Sequence, residues 1–308
     1  MDLGPVDAAL VRELQLDGRA SFEHLAQRLG LSRVAVRGRV QRLLDSGAVT
    51  IVAVVHPAAR GLLTLGHLSV DVVSDAAGLA TAMAAKAEMP LVSVVAGRHA
   101  VIAEVRTTDM ASLRRTVTEV RALSDVQSVT TVVYTRGVKD AYSPGGRSGP
   151  TERAVLDPID RQLVALLQRD GRASYADLGR ATNLSASSAR IRVRALLDAG
   201  IVHVAAMITP GLLGLGSMCG FGLTLDAVPG ATDRIAELPE VHYLSETLGP
   251  WDAVGTLLCP SPAAAAAALD RIRDMPGVTQ LESWMHLRVV KEDYSLSADA
   301  HDPTQEAP

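Results

Sequence analysis

Cysteine is nearly absent from this 308-residue chain: Cys219 and Cys259 are the only two, and they belong to no CxxC or Cys/His cluster. That speaks against a disulfide framework and against a zinc site, and a reducing compartment fits. Long apolar runs are missing too. No stretch approaches the ~18 uninterrupted apolar residues of a membrane span, and the opening MDLGPVDAALVREL lacks the basic-then-apolar order of an export signal. The cytoplasm is the expected location. Catalytic signatures are equally scarce: there is no Ser/His/Asp ordering, no phosphate-cradling GxxxxGKS/T loop and no paired-carboxylate motif. No cofactor is expected.

What the chain does contain is a second copy of itself. LGPVDAALVRELQLDGRASFEHLAQRLGLS from Leu3 realigns without gaps on LDPIDRQLVALLQRDGRASYADLGRATNLS from Leu156, an offset of 153. Shared landmarks are Asp7/Asp160, the DGRAS runs at Asp17 and Asp170, and Arg37/Arg190. The likeness returns at Arg136 to Ser143 and Arg288 to Ser295, offset 152. With 48% hydrophobic residues the length suits several compact domains. The expected division is 1–57 and 62–142 in copy one, a Gly/Pro/Ser-rich linker at 143–155, then 156–210 and 215–295 in copy two, and a polar, disordered tail at 296–308.

In copy one, Val6, Leu10, Val11 and Leu14 recur at helical spacing and stop at the Asp17-Gly18 turn signal. Ser21 is placed to cap a second helix carrying Leu25 and Leu29; Gly30 breaks it, and Ser32 caps a third helix running to about Ser46. Three helices with a tight turn before the last form a helix-turn-helix pattern. On the third helix Val36, Val40, Leu43 and Leu44 share one face, leaving Arg33, Arg37, Gln41 and Arg42 outside it. Copy two buries Ala189, Val193, Leu196 and Leu197 and turns out Ser187, Ser188, Arg190 and Arg194. Arg39 and Arg192 adjoin buried positions and are expected to reach the backbone or an acidic neighbour; Ser32 and Ser185 are helix caps first and phosphate contacts second.

Charge is distributed accordingly. The net charge is -4, yet residues 6–56 carry seven Arg against five acids and residues 159–209 seven Arg against four. Positive charge therefore sits on the two units shaped for a major groove, which predicts double-stranded DNA as a partner rather than a merely solvated face. After each third helix comes a β-branched linking strand, 49–55 and 202–208. Then follows the order strand, helix, strand, strand, helix, strand: 67–73, 76–87, 91–96, 100–106, 109–123 and 128–134 in copy one, and 218–225, 232–237, 241–247, 253–259, 263–275 and 279–290 in copy two. The fold class is α+β: a winged-helix-like helix-turn-helix domain plus a ferredoxin-like βαββαβ α/β sandwich domain, the pair occurring twice. Each sheet has helices on one face only, so the two are expected to pack face to face as an intramolecular pseudo-dimer. The alanine run 263–268 is expected to be a close-packed helix.

These segments, with the stretch from Arg190 to Val202 and the closing GVTQLESWMHLRVVK, resemble the Lrp/AsnC regulators across nearly all of both copies. The resemblance implies a helix-turn-helix domain joined to a sensor domain that dimerises and binds an amino acid or related small molecule, self-association into dimers or higher assemblies, and a cytoplasmic, nucleoid-associated protein. It also implies an effector pocket at a Gly-x-x-Asp turn. Copy two keeps this turn as Gly249-Pro250-Trp251-Asp252, whereas copy one has Gly97-Arg98-His99-Ala100 and lacks the acid. The implied effector set is Thr247, Leu248, Gly249, Trp251 and Asp252 with Gly97, Arg98 and His99. Trp251 and Asp252 are open to either ligand contact or interface packing. Both glycines are expected at positive φ, and His99, a lone histidine on a turn, is expected to be exposed. Two rivals share the architecture: siroheme decarboxylases, which employ His and Arg residues around a tetrapyrrole, and a co-regulator whose helix-turn-helix units no longer bind DNA. The histidines His67, His99, His242 and His286 look scattered, which weighs against the enzyme.

Overall fold

A computed structural model of the chain describes residues 4–47, 49–140, 156–208 and 216–294. The expected linker and tail lie outside the described residues. Copy one runs α1 (Pro5–Leu16), α2 (Phe22–Leu29), α3 (Arg33–Asp45), β1 (Val49–Val55), a 3-10 turn (Pro57–Arg60), β2 (Thr64–Val72), α4 (Ala76–Ala84), β3 (Leu91–Ala96), β4 (Val101–Thr107), α5 (Met110–Arg121) and β5 (Val126–Asp140). Copy two repeats it as α6 (Pro158–Arg169), α7 (Tyr175–Ala181), α8 (Ala186–Asp198), β6 (Val202–Ile208), β7 (Ser217–Leu225), α9 (Ala231–Ala236), β8 (Val241–Leu248), β9 (Ala253–Cys259), α10 (Pro262–Arg273) and β10 (Val278–Glu292).

The helices start where the caps stand. The hydroxyls of Ser21, Ser32, Ser174 and Ser185 accept from the backbone N–H groups of His24, Ala35, Asp177 and Ser188, satisfying donors that the first helical turn leaves unpaired. Gly30 ends α2 at φ 64°, a left-handed conformation that favours glycine. The alanine run forms α10, which buries Ala265, Ala268, Leu269 and Ile272.

The two helix-turn-helix units share one apolar core rather than forming separate bodies. β1 pairs antiparallel with β6, from Val49↔Ile208 to Val55↔Val202. Its central pair, Val52↔Ala205, is separated by the repeat offset, so a pseudo-twofold axis passes between them. α1 packs on β6 and α6 on β1, so each first helix leans on the other copy's strand. At the close approach, Gly18 N–H donates to Val204 O (2.7 Å) and Gly171 N–H to Ile51 O (2.8 Å). A Cβ on Gly18 would lie 2.8 Å from Val204 O, and one on Gly171 2.9 Å from Ile51 O. The Asp-Gly segments thus both stop a helix and dock one copy on the other.

The sensor domains follow the expected βαββαβ chain order, their sheets run β3-β4-β2-β5 and β8-β9-β7-β10, and the sheet edges also join. The first half of β5 pairs with β2 and the second with β8; β10 pairs with β7 and then with β3. An eight-stranded barrel closes around the axis, and the expected face-to-face packing becomes the interior of that barrel. This is why β5 continues to Asp140 instead of ending near residue 134. The helices cover the outside over two separate cores, one per copy. Strand alternation sorts the side chains: Leu68 and Val70 of β2 face the helices, while His67 and Ser69 face inward. Among the described residues no helix is long and apolar enough to cross a membrane.

Candidate DNA interface and ligand sites

Both third helices present one buried and one open face. In α3, Val36, Val40 and Leu43 are buried and Arg33, Arg37, Gln41 and Arg42 exposed; in α8, Ala189, Val193 and Leu196 are buried while Ser187, Arg190 and Arg194 are exposed and Ser188 is half-buried. Gln41 donates to Asp45 Oδ1 one turn on (2.8 Å). Arg39 and Arg192 turn back to the first helix of their own unit. Arg39 Nη1 lies 2.8 Å from Asp7 Oδ1, and Arg192 Nη1 lies 2.6 Å from Asp157 Oδ2 and 2.9 Å from Asp160 Oδ1. These pairs brace α3 against α1 and α8 against α6. Among the described residues Arg33, Arg37, Arg42, Arg190 and Arg194 have no carboxylate partner. Two aliphatic side chains stand on the same open faces, Val34 at 82% and Ile191 at 70% exposure, where no core requires them.

The two β-turn loops expected to bind an effector come together at one end of the barrel. Arg98 and His99 face Pro250 and Trp251 across a cleft of about 250 Å³ whose wall includes Thr130, Thr224 and Gln280. Thr247, Leu248, Gly249, Asp252 and Gly97 are not on that wall. Thr247 hydroxyl donates to Trp251 O (2.6 Å), its N–H donates to Asp252 O (2.8 Å), and Asp252 Oδ2 accepts from Leu225 N–H (2.7 Å), so these residues knit the turn. Leu248 is exposed and Gly249 has φ 151°. Two expectations need correction. Gly97 is not at positive φ; a Cβ there would lie 2.9 Å from Trp284 Cβ, so closeness rather than backbone angle requires glycine. His99 is buried, not exposed, with Nδ1 2.7 Å from Asp71 Oδ1, and that carboxyl is held below the usual range first by the Ser128 hydroxyl and then by His99.

Trp251, on the cleft wall, also packs against His67 and Trp284, which line the barrel interior. The interior belongs to a cavity of about 650 Å³ that runs out to the linking strands at Val54, His56, His203 and Met207 and is lined by side chains of both copies. His67, Trp251 and Trp284 stack there with ring centroids 5.4–6.0 Å apart. The space for the two indoles comes from glycine: a Cβ on Gly220 would lie 2.0 Å from Trp284 Nε1, and one on Gly222 2.5 Å from the Trp251 ring. Burial pushes His67 down to about 3, with His286 and His99 adding repulsion, and burial pushes His286 down to about 4. Both imidazoles are neutral at pH 7. Glu104 Oε1 lies 2.5 Å from Arg106 Nε; burial works against the Arg106 charge, but Glu104, with Tyr294 and Asp140, more than offsets it. Burial raises the Tyr134 and Tyr243 hydroxyls well above their ordinary range.

Two family models match, each of them twice. The AsnC-type helix-turn-helix domain covers residues 5–44 and 156–197, and the Lrp/AsnC ligand binding domain covers residues 69–144 and 222–296. The chain belongs to the Lrp/AsnC family. Among its Lrp/AsnC relatives, the HTH-type transcriptional regulator FL11 of Pyrococcus horikoshii is 28% identical over 147 residues, 47% of this chain and 97% of that protein. The proline dehydrogenase transcriptional activator of Rhizobium radiobacter is 30% identical over 146 residues, 45% of this chain and 93% of the activator. Half of this chain therefore spans each of them almost entirely. The siroheme decarboxylase NirDL superposes over both halves, with a TM-score of 0.63 at 12% identity, covering 94% of this chain and 93% of NirDL. At that identity the likeness concerns the fold.

In this doubled Lrp/AsnC chain the lumen is not evident from the sequence. His67, His242 and His286, which look scattered along the chain, line one cavity, while His99 does not. The usable signal was strand alternation, which puts His67 on the face opposite Leu68 and Val70.

Proposed function

We propose that this protein is a sequence-specific DNA-binding transcriptional regulator of the cytoplasm, acting on the nucleoid, with its two third helices as the reading elements. The observation that carries this is the open face of α3 and α8, where Arg33, Arg37, Arg42, Arg190 and Arg194 have no carboxylate partner among the described residues while Arg39 and Arg192 brace the helices from behind. A guanidinium fork clamps phosphates or pairs with guanine acceptors in the major groove. Ser32 and Ser185 are occupied as caps, and Gln41, Ser187 and Ser188 complete the contact set. The shared core and the β1–β6 pair hold both units on one side of the barrel, which suits half-sites about 10 bp or a multiple apart. The two faces differ, Val34 and Gly38 in one against Ser187 and Ile191 in the other, so the preferred operator is asymmetric.

The cleft between Arg98, His99 and Trp251 is of amino-acid scale and is the proposed effector site, with Asp252, Gly249, Thr247, Leu248 and Gly97 shaping its turns. Effector binding there changes the barrel ends and, through the linking strands, the relative setting of α3 and α8; a coupling of about 1–3 kcal/mol changes DNA affinity ~5–150-fold. Fused chains associate further into dimers or higher assemblies. A gel-shift titration against DNA from upstream of its own gene, with unrelated competitor DNA at physiological salt, tests the regulator reading: a specific shift supports it, and no shift at micromolar protein overturns it.

One observation favours the decarboxylase reading, the gathering of His67, His286 and Arg106 in one cavity within a fold that NirDL shares. Against it, a macrocycle bearing many carboxylates needs surplus positive charge, and the described wall balances three cationic side chains with three anionic ones. Failure of the purified protein to retain or bind iron-tetrapyrrole by visible absorbance would remove that reading.

A further inference from the structure

We infer that the barrel lumen is a binding site for one neutral, planar aromatic molecule per chain, distinct from the amino-acid-scale cleft at the barrel end. Its volume, about 650 Å³, lies within the roughly 300–1,000 Å³ of small-molecule sites, where the cleft does not.

The first support is where the two copies diverge. Facing the outer helices, symmetry-related positions stay apolar on both sides, as with Val70/Leu223 and Val120/Ile272. Facing the lumen, the same strands carry His67 against Gly220, Glu104 against Thr256 and Tyr134 against His286. Filling a core does not call for such pairs. They make the two walls of an axial cavity chemically unlike, which suits a single occupant without twofold symmetry of its own.

The second support is the lining itself: Tyr134, Tyr243, Trp284 and Tyr294 stand on the cavity wall among aliphatic side chains, so flat aromatic faces are offered to an occupant.

Third, the wall offers no surplus charge. Glu104 and Arg106 pair with each other, and the six charged side chains on the described wall sum to zero, so an ionic ligand would enter uncompensated. Val54 and His56 of copy one and His203 and Met207 of β6 reach the same cavity, so an occupant touches the strands carrying both helix-turn-helix units. Any effect on DNA affinity rests on the regulator reading; binding itself does not.

The test uses the full chain, no DNA, and the neutral fluorophore N-phenyl-1-naphthylamine. The chain has only two tryptophans, Trp251 and Trp284, with ring centroids 5.4 Å apart, so energy transfer from them reports a probe bound near either, and variants that fill the lumen tell it from the cleft. Saturable transfer at one probe per chain is expected. Thr256→Phe, which extends a wall residue into the space, should weaken it at least tenfold; Leu65→Phe does the same from the facing copy should the first variant not fold. Absence of saturable transfer, a stoichiometry other than one, or a folded filling variant that binds like the parent overturns the inference. A normal gel shift alongside absent probe binding would sink the lumen site alone, and the converse result the regulator reading alone.

Discussion

Arg19 and Arg172 occupy the same place in the two copies, and each guanidinium crosses the pseudo-twofold axis to hold the other's loop. Arg19 donates to Gly171 O (2.5 Å) and Ala173 O (3.0 Å); Arg172 donates to Gly18 O (2.8 Å) and Ala20 O (3.1 Å). Each also stacks on an aromatic ring of the opposite second helix, Arg19 on Tyr175 at 4.8 Å and Arg172 on Phe22 at 4.9 Å. The repeated DGRAS segment is thus a reciprocal clasp between the DNA-reading units.

Arg19→Ala removes two charge-assisted hydrogen bonds and a cation–π contact. It should lower stability by about 2 kcal/mol in urea denaturation, and Arg19→Lys should restore little because an ammonium lacks the fork. Parental stability in Arg19→Ala would show that the clasp carries no weight.

Replacing Arg37 and Arg190 together by Ala should reduce DNA affinity by roughly 10–100-fold or more and flatten its salt dependence, with the melting temperature unchanged. Arg39→Ala is the contrast: it frees Asp7 and loosens α3 against α1, so it should cost a few tenths to about 1 kcal/mol of stability. Unchanged affinity in the double variant, measured by gel shift, would remove α3 and α8 as reading elements.

Asp252→Ala should abolish the response to an amino-acid effector while basal DNA binding persists. Loss of the acceptor for Leu225 N–H adds a stability cost of about 1 kcal/mol. Titrating candidate amino acids into the gel shift decides the matter, and a variant that responds like the parent excludes Asp252 from the effector site.

Acid should unfold the barrel in a defined window. His67 has a folded pKa of about 3 against an ordinary 6.5, so between those values the unfolded chain binds a proton that the folded chain does not. Its contribution is full above about pH 6.5 and lost as pH falls toward 3, at up to about 1.4 kcal/mol per pH unit. His286 and His242, both pushed down to about 4 by burial, act in the same direction. Urea midpoints at pH 7 and pH 5 should therefore differ, and His67→Gln should narrow the difference; an equal slope in that variant would refute the assignment.

The parts written in local chemistry were legible in the sequence. Ser21, Ser32 and Ser185 cap helices where expected, and the buried faces of α3 and α8 follow the 3.6-residue pattern. Arg39 and Arg192 meet acids as their position beside buried residues suggested. What could not be read was decided between the copies. β5 reaches Asp140 because its second half pairs with β8, and nothing around residue 135 announces a partner more than 100 residues away. Alternation tells which face His67 takes, but not that His286 shares the same enclosure. Gly97 was misassigned because a close approach to Trp284 and a positive φ leave the same residue in the sequence.

The pairing of β1 with β6 also orders events in time. Val49 to Val55 are made some 150 residues before the strand that covers them, and α1 waits longer still for β6. Until copy two leaves the ribosome, the first unit carries an apolar strand with an unsatisfied edge and half a shared core. Contacts of such sequence separation fold slowly and invite wrong pairing. The second half of the chain therefore acts as the chaperone of the first, and a messenger truncated between the copies would yield a sticky fragment rather than a working single-unit regulator.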